Sequence, residues 1–166
     1  MRMKLQFLGT ELYFLATIYK HSAAYAMATF QAPRHNGIFL QTIYTSSGWN
    51  PLEWVNPPMD AGVEYRTTER YKGKPVYRKL IEYSNTDAIG STTSVTTTNI
   101  PHDISNLDNV IRCDGKLGTY ILPYLSLAGN ITTVVGVTST TIQLRISNTE
   151  WSNRNWAFDL AYTKTT

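Results

Sequence analysis

Strict alternation near the C-terminus constrains this chain most. In Thr141 to Ser147, Ile142, Leu144 and Ile146 alternate with Gln143, Arg145 and Ser147, and in the last segment Trp156, Phe158, Leu160 and Tyr162 alternate with Ala157, Asp159 and Ala161. A two-residue period puts every apolar side chain on one face of a strand and suits no helix. Two such half-buried strands need partners that bury the same face, so a sheet packed against another layer is required.

The rest of the 166 residues fits that requirement. Eleven tyrosines and frequent threonine favour pleated, half-buried surfaces. Short apolar stretches recur between turn residues: Tyr25 to Gln31, Ile38 to Tyr44, Pro75 to Tyr83, Asn109 to Asp114, Gly118 to Tyr124, and Ile131 to Thr138 facing the alternating strand. The polar stretch Thr92 to Thr98 suits a sheet edge or a subunit contact. Between Leu12 and Tyr25 a helix is an open alternative, but aromatic and β-branched residues argue for strands.

The N-terminus imitates a secretory signal, with Met1-Arg2-Met3-Lys4, an apolar run and Ala24-Tyr25-Ala26. Gln6, Gly9, Thr10, Glu11 and Lys20 interrupt that run, which is too short and polar to span a bilayer. A folded hairpin, Leu5 to Leu8 and Leu12 to Leu15 about a Gly9-Thr10-Glu11 turn, is expected, with no signal peptide and no membrane insertion.

In the middle, Trp54-Val55-Asn56-Pro57-Pro58-Met59 precedes Gly62 to Tyr77. Each proline removes a ladder donor, so Pro57 and Pro58 mark a boundary between two lobes. Gly62 and Gly73 serve backbone geometry there. The expected organisation is all-β: a smaller β-rich lobe (1–56), a hinge and extended segment (57–74), and an antiparallel β-sandwich (75–166).

Chemistry is sparse. The chain has no phosphate-binding glycine loop, no nucleophile elbow and no His-Glu-x-x-His. His21, His35 and His102 stand at no metal spacing. Glu64 and Glu69, five residues apart in an extended segment, would lie roughly 16 Å apart on opposite faces, too far for a glycosidase pair. The net charge of +3 is dispersed among both signs, which argues against nucleic acid. Cys113, the sole cysteine, reads as a small buried hydrophobe. The Pro101 to Asp108 loop reads as Asp and Asn side chains fixing a turn. No enzyme activity, cofactor or metal is expected.

Binding is a better reading. Trp151 and Asn153 in one turn, and Tyr120 and Tyr124 flanking Pro123, are candidate sugar-contact residues, because saccharide rings stack on aromatics while neighbouring polar groups meet their hydroxyls.

The string W-V-N-P-P-M, then G-V-E-Y-R-T-T-E-R-Y-K-G-K-P-V-Y, resembles the C-terminal region of bacteriophage and prophage tail-fibre proteins. Gly48 to Trp54 resembles the Trp-rich end of the small knob-like β module preceding that run. Ile100 to Asp108 and Tyr162 to Thr166 resemble later family stretches, so the likeness covers residues 48–166. It implies a virion fibre tip, commonly a homotrimer, that meets other phage structural proteins and host cell-surface polysaccharide. The alternative is a structural virion component (head fibre, decoration or baseplate protein) without a receptor role. Family members are commonly longer, with a shaft and a virion-attachment region that these residues do not include.

Overall fold

The computed structural model describes residues 2–7, 10–32, 38–126, 131–147 and 149–165. Seventeen strands follow one another among the described residues: β1 Arg2–Phe7, β2 Thr10–Lys20, β3 Ala26–Ala32, β4 Ile38–Thr45, β5 Gly48–Trp49, β6 Glu53–Asn56, β7 Glu64–Tyr71, β8 Lys74–Asn85, β9 Ile89–Ser91, β10 Thr96–Pro101, β11 Leu107–Leu117, β12 Tyr120–Leu122, β13 Tyr124–Ser126, β14 Ile131–Val137, β15 Thr141–Ser147, β16 Thr149–Trp151 and β17 Arg154–Lys164. The fold is all-β, and the described residues include no helix. The open alternative at Leu12 to Tyr25 thus resolves to strand over most of its length. The Gly9 end of the expected hairpin turn and the Pro33 to Gly37 turn, with His35, lie outside the described residues.

Two compact units form. The first holds residues 1–59 and 65–76, the second residues 60–64 and 77–166. The chain therefore passes between them at 59/60, 64/65 and 76/77, and the extended run after the prolines is divided between them.

In the first unit β1, β2, β3, β4 and β6 pair antiparallel in that order, β5 adds to β4, and β7 joins β6 in parallel at Trp54 and Thr67. Its buried residues include Ala16, Ala28, Phe30, Leu40, Trp54, Tyr65 and Val76. Trp54 and Tyr65 meet edge to face at 5.4 Å. Glu53 is buried beside them, and a buried carboxylate requires partners. Arg66 Nε donates to Glu53 Oε1 at 3.0 Å, and Arg70 Nη2 donates to both oxygens at 2.7 and 2.8 Å. The β7–β8 connection is Lys72-Gly73, both at positive φ (49° and 79°), as a two-residue hairpin turn of the primed kind requires.

The second unit is a sandwich. One sheet runs β8, β17, β11, β12, and the other β10, β15, β14, β13, with a β9–β16 ribbon alongside. β14 and β15 pair across Thr138 to Thr140, where the Thr138 hydroxyl accepts the Thr140 and Thr141 amides. Thr96 to Pro101 forms the edge strand β10, so only the end of the Thr92 to Thr98 stretch is strand. Between the sheets lie Ile142, Leu144 and Ile146 from β15 and Trp156, Phe158, Leu160 and Tyr162 from β17, each at most 1% exposed.

Polar side chains close this core. Asn85 accepts the Trp156 indole N–H at 2.8 Å and donates to the Asp87 and Trp151 carbonyls. In the Pro101 to Asp108 loop, buried His102 accepts the Ile104 amide at Nδ1, which leaves Nε2–H to donate to the Thr138 carbonyl at 3.2 Å. Buried Lys79 donates to the His102 and Asp103 carbonyls at 2.9 and 3.1 Å. Asp103 and Asn106 hold the positive φ that their side chains tolerate better than most. The loop's polar residues are engaged in its own geometry.

Glu64 is engaged within the second unit, whereas Glu69 stands on the surface. Glu64 accepts the Tyr162 hydroxyl at 2.5 Å and the Lys164 ammonium at 2.7 Å. Burial, then the bond to Glu64, pushes the Tyr162 phenol well above its ordinary range. Glu69 is exposed on β7. Gly62, at φ 77°, donates its amide to the Leu80 carbonyl at 2.8 Å.

Cys113 is half-buried against the core, and desolvation, helped by Asp114 and Asp159, raises its thiol from 9.0 to about 11. Because the folded value is raised, the associated stability is present below pH 9 and lost as pH climbs towards 11. Alkylation of the native protein is expected to show a rate midpoint near pH 11, and a midpoint near 9 would contradict the burial. Truncating Leu144 to Ala should cost about 2–5 kcal/mol in denaturant unfolding. Val134→Ala, on the exposed side of the adjacent strand, should cost less than about 1 kcal/mol.

Candidate functional site

Three of the four sugar-contact candidates come together at one end of the second unit. The ribbon pairs Trp151 with Ile89, and Asn85 holds the Trp151 carbonyl from behind. The following turn carries Asn153 at φ 50° and returns the chain into β17 at Arg154. β12 pairs Tyr120 with Leu117 and so brings the phenol ring to Trp151, edge to face with centroids 5.4 Å apart. The Arg154 guanidinium lies 5.8 Å from the Trp151 ring centre, within cation–π range.

Tyr120 and Asn153 are exposed, whereas Trp151 is half-buried and packs partly on the core. Sequence reasoning placed Trp151 in an exposed turn, but its strand pairing with β9 turns it inward. The Trp151 indole N–H is buried and finds no acceptor among the described residues. Tyr124 follows a cis Leu122–Pro123 bond and pairs with Thr133 in β13, and its side chain lies outside the described residues. Arg154 is not among the sequence candidates; its place over the ring depends on the turn.

The hinge-geometry residues have no part in this cluster. Pro57 and Pro58 follow the end of β6 in a stretch without strand, and Gly62 and Gly73 hold positive φ.

A second surface is apolar rather than polar. On the first unit's sheet, Leu15, Tyr19, Met27 and Ile43 share one face, with Tyr19, Met27 and Ile43 in direct cross-strand register. Ile18 and Trp49 belong to the face that carries Ala16, Ala28 and Phe30. Leu15, Ile18 and Tyr19 are 52%, 55% and 58% exposed, and between residues 12 and 52 the only charged side chains are Lys20 and Arg34. Two apolar faces on one sheet exceed what a lone domain ordinarily leaves to water. Among the described residues no group of three or more His, Cys, Asp or Glu side chains is placed to hold a metal ion.

No protein-family model matches the chain, and no curated protein matches it. Solved structures similar to it include C-terminal fragments of the P. aeruginosa R1 and R2 pyocin fibres and an N-truncated R2-type pyocin tail fibre. The R1 fragment is 8% identical at a TM-score of 0.29, with 93% of this chain and 58% of that one covered. For the truncated R2-type fibre the figures are 12%, 0.29, 90% and 82%. For the R2 fragment they are 10%, 0.31, 90% and 56%. The chain thus spans little more than half of two of these fragments. At TM-scores near 0.3 these likenesses do not establish a common fold.

Proposed function

We propose that the chain is a phage virion fibre protein, at a tail-fibre or short-fibre tip, that binds a host bacterial surface glycan as a homotrimer and without turnover. The observation that carries the binding role is the convergence of Tyr120, Trp151 and Arg154 at the exposed Asn153 turn. An aromatic pair with a guanidinium and an amide beside it offers a sugar both a stacking face and hydrogen-bond donors. The run from Trp54 to Tyr77, which resembles tail-fibre C-termini, supports the setting on a particle.

The first unit supports the self-association in this reading. Between residues 12 and 52 its sheet carries few charges and exposes apolar side chains on both faces, and it ends at β1, an edge strand. Copies of the chain packed there would bury the apolar rows and cover the edge, while three of them would supply avidity from weak single sites.

Sedimentation should give about three times the chain mass of 18.8 kDa. Ile18→Asp combined with Ile43→Asp should shift it towards monomer, and a stable monomeric wild type would overturn the trimer. Tyr120→Ala and Arg154→Ala, both at exposed positions, should each weaken adhesion to host cells about three- to tenfold, as the loss of one aromatic or cation–π contact predicts. Wild-type protein that assembles on particles and shows no adhesion to host cells would favour the structural-component reading.

A further inference from the structure

The exposed face of the second unit's β8, β17, β11 sheet carries a polar trough with a volume of about 290 Å³, distinct from the Trp151 cluster. Its floor is Ala157 in the N-terminal half of β17. The register sets Glu82 of β8 directly opposite Ala157 on one side and Lys116 of β11 on the other. Two strand spacings separate those flanking backbones by about 10 Å. One step along, Ser84 faces Asn155, and the Ser84 hydroxyl donates to Asn155 Oδ1 at 2.8 Å. That bond fixes the amide with its two N–H donors still available. Gly118 ends the opposite wall, where a Cβ would meet nothing within 4 Å, so the trough stays open on that side.

The next row shows why these charges are notable. Asp159 sits there between Leu80 and Asp114, and the arginines that flank Ala161 one row further reach it diagonally: Arg78 pairs with it, and Arg112 lies 3.9 Å from it and 2.7 Å from Asp114. Carboxylates on the middle and outer strands thus pair with the cations of the neighbouring row. With alanine in the centre, Glu82 and Lys116 have nothing between them to bridge, and neither has a hydrogen bond or ion pair among the described residues. A carboxylate acceptor thus faces an ammonium across a gap one small ring wide, with amide donors on the strand between them.

We propose that this trough is a monosaccharide subsite, in which Glu82 accepts from vicinal hydroxyls of one pyranose ring while Lys116 donates from the opposite wall and Asn155 from the middle strand. Hydroxyls both donate and accept, so a neutral sugar satisfies both walls at once. The volume, at the low end for small-molecule sites, suits one ring rather than a long chain. The inference rests on the host-glycan reading and names where that glycan is gripped.

The test titrates the full chain with free hexoses, N-acetylhexosamines and hexuronic acids, by calorimetry and ligand-observed NMR, beside a host-cell adhesion assay. At least one sugar should bind weakly, with a dissociation constant on the order of 1 mM. Glu82→Gln and Asn155→Ala should each weaken it about tenfold, and Ala157→Trp, which fills the floor, should abolish it with the melting temperature of the first two unchanged. Should Ala157→Trp fail to fold, the two exposed-site variants still decide. Sugar binding unaltered in both would overturn the trough and leave the glycan reading standing. Adhesion that persists without binding of any tested sugar, and that Tyr120→Ala reduces, would also overturn it in favour of the aromatic cluster. Absence of both sugar binding and adhesion would remove the subsite and the receptor reading together.

Discussion

Strand β17 is the constraint on which the second unit depends. Its apolar side, Trp156, Phe158, Leu160 and Tyr162, is withdrawn from water, and burying four such side chains is worth on the order of 10 kcal/mol before entropy is counted. A one-residue slip would send all four to solvent, so the pairing with β8 and β11 is held in one register. That register decides the outer face as well, because the residues between the core positions are fixed by default. Asn155, Ala157 and Asp159 reach the surface opposite Ser84, Glu82 and Leu80 for that reason alone.

The two units solve burial differently. The second closes a core between two sheets and satisfies its buried polar groups internally, through Asn85, His102 and Lys79. The first buries small and aromatic residues around Glu53 and its two arginines but leaves apolar rows facing outward. Its Ala16, Ala28 and Thr42 are too small to raise a thick layer over the sheet. The uncovered area is the physical ground for reading self-association into the molecule.

On the second unit's exposed sheet face a single position changes the chemistry. Asp159 draws in Arg78 and Arg112 from the row of Ala161, whereas Glu82 and Lys116 on either side of Ala157 remain available to solvent and to a ligand. Cross-strand neighbours, rather than sequence neighbours, set whether a charge is structural or presented.

Much of the fold was legible without coordinates. Period-two patterning identified β15 and β17, the prolines ended β6, and the apolar stretch Ile131 to Thr138 was set against the alternating strand, as β14 pairs with β15. The absence of catalytic spacing turned attention to aromatic side chains, and Tyr120, Trp151 and Asn153 do lie together. Local periodicity and backbone chemistry are written in adjacent residues, which is why sequence alone determined strand identity, the all-β class and the turns. It did not reveal the inward turn of Trp151, the arginine pair on Glu53, the His102 bond to Thr138, or the Glu82–Ala157–Lys116 row. Those depend on which strands become neighbours and in what register, and partners such as Lys116 and Glu82 stand far apart along the chain. Only the tertiary structure, by burying one face of β17 and thereby fixing the other, decided which polar residues would face each other across a gap.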